Sequence, residues 1–423
     1  MVQDYFSILI SVHGSGIPQG ITAVCSAHPV VLAATLAAGA DMGRPVLIEA
    51  TCNQVNQEGG YTGLRPADFR AMVERITAAE GFDPSKLILG GDHRGPNPWR
   101  HLPAAKAMGR AEAMVAAYAA AGFQKIHLDA SMTCVDDPMS LPEPTIAARA
   151  ARLAAVAVAE AHGAGQRIVY VIGTEVPVPG GATEHVGALA VTAPSDATET
   201  VRLHHAAFTA AGVAAAIPRI VDLEVQPGVE FGNENVVPYA QDAACALSLS
   251  RRALGLIYEA HSTDYQSAEA LAALVRDGFA ILKVGPWLTF ALREALYGLD
   301  AIAGELTGVA PLRGGMEQLM TANPGHWQSH CQGDARAQHL QRHFSYSDRI
   351  RYYWAEPVAQ ALVADRLARL GDRPIPEILI SQYLATAWPK VMSGQTAPTA
   401  PALVRAGVQR VLAAYDQACS GGA

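Results

Sequence analysis

Short runs rich in Val, Ile and Leu recur along the chain, each ending in small or polar residues. They are ITAVC (21–25), VLIEA (46–50), LILGG (87–91), IHLDA (126–130), IVYVI (168–172), IVDLEV (220–225), LIYEA (256–260) and ILKVG (281–285). The stretches between them are long enough to carry a helix. Eight strands joined by helical crossovers predict a TIM-type (β/α)₈ barrel. A doubly wound open sheet is the rival, but no G-x-G-x-x-G fingerprint follows an early strand. The boundary expected from this pattern gives a barrel over 1–305 and a mostly helical C-terminal extension over 306–423.

Alternation within the runs assigns faces. A barrel strand turns one face to the helix layer and the other inward. In the sixth run Val221, Leu223 and Val225 form the apolar face, leaving Asp222, Glu224 and Gln226 inside. In the fourth, His127 and Asp129 point inward opposite Ile126 and Leu128. In the seventh, Glu259 and His261 lie inside; in the eighth, Lys283 stands opposite Leu282 and Val284. So polar an interior is costly unless its groups pair with one another or hold a ligand.

Composition narrows the function classes. Half of the 423 residues are apolar and 17% are charged, which favours a large core over disorder. A formal charge of −8 gives no basic footprint, so neither nucleic acid nor a membrane surface is expected as a partner. No apolar run is long enough to span a bilayer. The six cysteines show no C-x-x-C spacing, and the first twenty residues lack a basic segment followed by a cleavage site. Reduced thiols in a cytoplasmic protein are expected.

The chemistry of a (β/α)₈ barrel gathers at the C-terminal ends of its strands. There the sequence offers Cys25–His28, Asn53–Gln57, Asp92–Arg94, Asp129–Ser131, Glu175, Gln226, His261–Asp264 and Lys283–Gly285. Two histidines from different strands with a carboxylate suit a divalent metal, Zn²⁺ or else Mg²⁺ or Mn²⁺. His93, His261 and Glu175 are the expected ligands, with Asp129 as an alternative or as a carboxylate behind a ligand. The segments NQEGGYTG (56–63), GGDHRGP (90–96) and VPVPGG (176–181) are glycine-rich, and glycine lets a backbone approach a bound group. For substrate and phosphate the expected residues are Asn53, Gln57, Arg94, Gln226, Ser262, Thr263, Lys283 and Gly285. In the C-terminal third, FSYSDRIRYYW carries arginines that reach toward a phosphate or pair in solvent. Its aromatic residues read as packing.

Longer motifs carry a resemblance. VCSAHP (24–29), IEATCNQVNQEGGYTG (48–63), LGGDHRGPNPW (89–99), KIHLDASM (125–132) and VIGTEVPVPGG (171–181) resemble the GatZ/KbaZ family. VQPGVEFG (225–232), YEAHSTDYQ (258–266), LKVGPWLTFALREA (282–295) and FSYSDRIRYYW (344–354) extend the likeness almost to the C-terminus. The resemblance implies a barrel akin to class II ketose-bisphosphate aldolases. In those enzymes an Asp-His pair ends the third strand, the His on the metal and the Asp handling the C4 hydroxyl proton. Asp92-His93 looks like that pair and His261 like a later metal histidine. Where those enzymes have an intermediate histidine, this chain has Glu175 and Val176, so its third ligand departs from the pattern.

Two functions follow from the resemblance. One is a metal-dependent 4-epimerase converting D-tagatose 6-phosphate to D-fructose 6-phosphate. The other is a stabilising partner of a catalytic aldolase subunit in galactitol or N-acetylgalactosamine catabolism. C4 of a 2-ketose is β to the carbonyl, so proton abstraction alone does not invert it. Cleavage between C3 and C4, rotation of the aldehyde and re-addition does. Asp92 is then expected as the acid–base group on one face, with Asp129 or Glu175 on the other. The substrate is a phosphorylated ketose, and a homo-oligomer and an aldolase subunit both remain open as protein partners.

Overall fold

The computed structural model describes residues 2–163, 165, 167–173, 189–309 and 312–421. The first helix, α1 (Val2–Gly14), precedes the strands β1 (Ile21–Val24), β2 (Val46–Thr51), β3 (Leu87–Asp92), β4 (Lys125–His127), β5 (Val169–Ile172) and β6 (Ile220–Val225). A small antiparallel hairpin of β7 (Glu230–Phe231) and β8 (Val236–Val237) follows, and β9 (Ile257–Ala260) and β10 (Phe279–Val284) complete the barrel. The closed order is β1-β10-β9-β6-β5-β4-β3-β2, with every barrel pair parallel. The eight runs read from the sequence are the eight barrel strands.

Helices α2 (Pro29–Met42), α3 (Pro66–Ala79), α4 (Ala104–Ala120), α5 (Glu143–Gly163), α6 (Pro194–Ala210), α7 (Gln241–Leu254) and α8 (Ala268–Arg276) follow strands in turn. Their starts are legible locally: α2 opens on Pro29, and His28 Nδ1 accepts the Val30 N–H in the first turn. After α9 (Pro286–Thr307) the chain runs through α10 (Leu312–Ala322), α11 (Ala335–Phe344), α12 (Pro357–Leu370), α13 (Glu377–Tyr383) and α14 (Trp388–Met392). It ends in α15 (Ala400–Cys419), which packs against α2, α8, α9 and β1. The last helix thus returns to the ring around the barrel.

The N-terminal end of the barrel is closed by α1, whose Phe6 and Leu9 meet Ile21, Leu47, Ile88, Val169, Ile257 and Ile281. Val221 belongs to this floor too, and does not face the helices as the alternation predicts. It sits where the β5–β6 register slips between Tyr170 and Val171. An extra residue in a strand turns its side chain to the other face. With the floor apolar and sealed, the polar residues of the strands are confined to the upper part of the barrel. All six cysteines are unpaired, and no helix among the described residues is long and apolar enough to cross a membrane.

Candidate active site

The deepest polar layer is an ion-pair cluster. Lys125 Nζ lies 2.9 Å from Glu49 Oε1 and 2.5 Å from Glu259 Oε2, and all three side chains are fully buried. Lys283 Nζ adds contacts of 3.0 Å to Glu49 and 2.9 Å to Glu259, and hydrogen-bonds Asp92. Two ammonium groups serving three carboxylates offset the cost of burying the charges. Room for Glu49 comes from Gly90 on the neighbouring strand, where a Cβ would lie 2.5 Å from Glu49 Oε1. Asp222 completes the layer; burial and the nearby Glu259 push its carboxyl well above the usual range.

Above this layer three imidazoles converge. The ring centroids of His93, His127 and His261 are 4.9 to 5.4 Å apart. His93 Nδ1 is 2.9 Å from Asp129 Oδ2, and His127 Nδ1 is 3.3 Å from Asp92 Oδ1. His127 Nε2 approaches Glu224 Oε2 at 2.6 Å, while His261 touches Glu224 at 3.1 Å and Glu259 at 2.8 Å. His93 has φ 51° and Ser262 has φ 53°. Left-handed backbone at a non-glycine residue is uncommon and costs energy that the surroundings must supply. Both residues follow directly on a strand end or on a site histidine, where that turn swings the chain away from the barrel axis.

The electrostatics favour charged, directional groups. Burial alone would raise Asp92, but His93, Lys283 and the hydrogen bond to His127 hold it well below the usual carboxylate range. Burial lowers His261, whereas Glu224 and Asp92 overcome burial at His127 and lift it well above the usual histidine range.

A metal is testable against this donor set. Neither oxygen of fully buried Glu224 makes a well-aimed hydrogen bond, and His127 Nε2 is likewise unsatisfied. His127 Nε2 and Glu224 Oε2 lie 2.6 Å apart, an ion-pair contact rather than a well-aimed hydrogen bond. Ligand atoms of His93, Glu224 and His261 lie within 4.8 Å of one another, and so do those of Asp92, His127, Glu259 and His261. Nitrogen and carboxylate oxygen donors of this kind fit a divalent cation.

Residues 6–420 match the family described as D-tagatose-1,6-bisphosphate aldolase subunit GatZ/KbaZ-like. The chain belongs to the GatZ/KbaZ-like family. It is 51% identical over 421 residues to the D-tagatose 6-phosphate 4-epimerase of Agrobacterium fabrum (strain C58 / ATCC 33970), covering 98% of each chain. A crystal structure of a probable tagatose 6 phosphate kinase from Sinorhizobium meliloti 1021 superimposes with a TM-score of 0.88 at 53% identity. The match covers 95% of this chain and all of that one.

In this GatZ/KbaZ-like barrel Asp92, His93, Asp129, His261 and Lys283 meet, as the strand-end reading expects. Glu175 lies outside the described residues. Several other expectations are corrected. Arg94 points away from the barrel axis: its guanidinium bonds the Ala50 and Val55 carbonyls and stacks on Tyr118 at 3.7 Å. Gln57 donates to the Arg110 carbonyl, and Gln226 accepts from Gly228 and Val229, building their loops. Thr263 donates to the Lys283 carbonyl and meets Tyr415 of α15, while the Gly285 N–H is taken by Asp264. Ser262 hydrogen-bonds buried Glu230, and Lys283 is spent on three carboxylates. Of the expected phosphate residues, Asn53 lines a polar cavity at the barrel mouth, and Gly285 lines a more apolar one beside it. Asp129 has one oxygen on His93 and the other on Ser131, an arrangement that holds the His93 ring in place.

The residues missing from the expected site are Glu49, Lys125, His127, Glu224 and Glu259. The alternation that puts His127, Glu224 and Glu259 inside was present in the sequence. Glu49 obeys the same parity in VLIEA. What the sequence hides is which inward groups sit at one height, because that depends on strand stagger.

Proposed function

We propose that the chain is a metal-dependent D-tagatose 6-phosphate 4-epimerase producing D-fructose 6-phosphate. The observation that carries this reading is the meeting of Asp92, from the Asp-His pair ending β3, with Lys283 below it and three clustered imidazoles above it in the buried barrel. The name of the relative from Agrobacterium fabrum supports the substrate.

In this reading His93, His261 and a carboxylate hold the cation. Glu175 is the carboxylate expected from sequence, and a Glu224 oxygen lies within 4.8 Å of a ring nitrogen of both histidines, a spacing that allows the three to share one cation. The cation, when bound, supplies Lewis-acid polarisation of the C2 carbonyl. Asp92, kept ionised, accepts the C4 hydroxyl proton as the C3–C4 bond breaks. His127 and Lys283 fix its orientation from two sides. Glu175, the group expected from sequence for the opposite face, would enter protonated and give its own proton to the C4 oxygen on re-addition. Asp92 would then pass the proton it took to solvent while Glu175 regains one before the next turnover. Net inversion requires both fragments to stay bound until re-addition.

The test incubates purified protein alone with D-tagatose 6-phosphate and Mg²⁺, Mn²⁺ or Zn²⁺, without any nucleotide. Formation of D-fructose 6-phosphate supports the reading and separates it from a kinase. No conversion, but stimulation of an added catalytic aldolase subunit, would establish the accessory role instead.

A further inference from the structure

With Arg94, Lys283, Ser262, Thr263 and Gly285 committed elsewhere, the phosphate of the substrate needs another seat. A cavity of about 690 Å³ opens beside the barrel mouth, between the loops after β2 and β3 and the C-terminal segment 326–352. The loop after β3 that begins with His93 also supplies Asn97, Arg100 and His101 to its wall.

Its lining is cationic and nearly devoid of counter-charge. Arg100, Arg110 and Arg349 face it together with His326 and His330. The one carboxylate on the wall, Glu58, is already bound to Arg110 at 2.7 Å and to Trp99 Nε1 at 3.1 Å. Arg349 is the decisive residue. It is 6% exposed, its Nε donates to the His326 carbonyl at 2.7 Å, and Nη1 donates to the Tyr352 hydroxyl at 3.3 Å. Its guanidinium lies 4.3 Å from the Tyr352 ring, and that of Arg351 lies 4.6 Å from the same ring. Among the described residues no carboxylate comes within ion-pair distance of Arg349 or Arg351. Arg351 lines the neighbouring cavity and has the buried carboxyls of Asp348 and Asp264 acting on it, whereas Arg349 faces this cavity without an ion-pair partner, an incomplete arrangement for a buried charge. The surplus positive potential registers on the neighbours. Burial, with Arg349, Arg351 and Arg100 adding to it, pushes His330 down to about 4. The same two arginines lower the Tyr352 phenol against the effect of burial.

We propose that this pocket seats the phosphoryl group of the substrate, with Arg349 as the principal ligand, Arg100 closing from the rim and Asn53 as a neutral donor. The planar guanidinium matches two oxygens of a phosphate at once. The proposal rests on the phosphorylated-ketose reading given above, and its test is arranged so that the two fail separately.

Inorganic phosphate binding is measured by titration calorimetry on the wild type, Arg349→Met and Arg100→Ala, alongside KM and kcat for D-tagatose 6-phosphate. Arg349→Met is expected to weaken phosphate binding and raise KM by between about tenfold and a hundredfold, with kcat changed far less. Arg100→Ala, at an exposed position that the fold tolerates, is expected to shift both in the same direction by a smaller factor. If Arg349→Met fails to fold, Arg100→Ala and Arg349→Lys carry the test, the lysine variant binding phosphate more weakly than wild type. Wild-type phosphate affinity in the folded variants, or no phosphate binding by the wild type, overturns the pocket even if the enzyme epimerises. Variant-sensitive phosphate binding by a wild type without epimerase activity upholds the pocket and removes the reaction.

Discussion

Asp129 holds His93 across the seam between β3 and β4, with Nδ1 of the imidazole 2.9 Å from the carboxylate. Burial opposes the charge on Asp129, but hydrogen bonds to His93 and Ser131 outweigh it, so the carboxyl stays ionised. An ionised acceptor favours a proton on His93 Nδ1 and leaves Nε2, which lies 3.7 Å from Asp92 Oδ2, as the ring nitrogen open to a cation. This is the tautomer a metal ligand requires. Asp129→Asn is therefore expected to leave the fold intact and weaken metal affinity by about 10- to 100-fold. Competition dialysis against a chelator measures it. An unchanged affinity would separate Asp129 from the site.

The same seam depends on Gly95. A Cβ there would run into the backbone carbonyl of Asp129, which cannot swing aside as a side-chain end can. Gly95→Ala should displace the loop that carries His93, with activity falling by about a hundredfold for a shift near 1 Å. Circular dichroism should remain close to wild type. Full activity in this variant would show that the loop position is unimportant.

Lys125 tests the layer beneath the imidazoles. Removing its charge leaves Glu49 and Glu259 facing each other with Lys283 alone between them. Breaking a fully buried pair costs about 3–5 kcal/mol, so Lys125→Met should lower stability by that order in urea denaturation. A loss well below 1 kcal/mol would mean that the layer relaxes readily.

The fold was legible because barrel strands announce themselves by short apolar runs at crossover spacing. The inward set was legible by parity wherever parity holds. It failed at Val221, where a register slip turns the side chain round, and nothing in IVDLEV marks the slip. Asp92, His93 and His261 were readable as strand-end chemistry. Arg94 was misread because a strand-end residue has two ways to point, and Tyr118 from α4 supplies the outward one. Arg349 belongs to a segment far from the barrel strands in sequence, so its place at the mouth depended on the path of the C-terminal helices.

Acid sensitivity has a defined source outside the site. Burial pushes His204 down to about 4, with its Nδ1 on the Thr200 carbonyl. Because the unfolded chain takes up that proton near 6.5, the stabilisation is complete above about pH 6.5 and is lost as pH falls toward 4. The full shift corresponds to roughly 3 kcal/mol. His13, His28, His330 and His343 are lowered to about 4 as well and act with the same sign. His204→Leu should flatten the decline of Tm between pH 6.5 and 4 without abolishing it. An unaltered slope would assign the acid sensitivity to other groups.

In the proposed reaction this chain alone inverts C4 by a cut between C3 and C4 whose fragments stay in the barrel. An equal mixture of D-tagatose 6-phosphate carrying heavy carbon at C1 and the same sugar carrying it at C6, given to the purified chain with a divalent metal, tests it. The expected product is D-fructose 6-phosphate that is singly labelled throughout. Doubly labelled product would contradict retention of the fragments, and the absence of any D-fructose 6-phosphate would contradict the reaction itself.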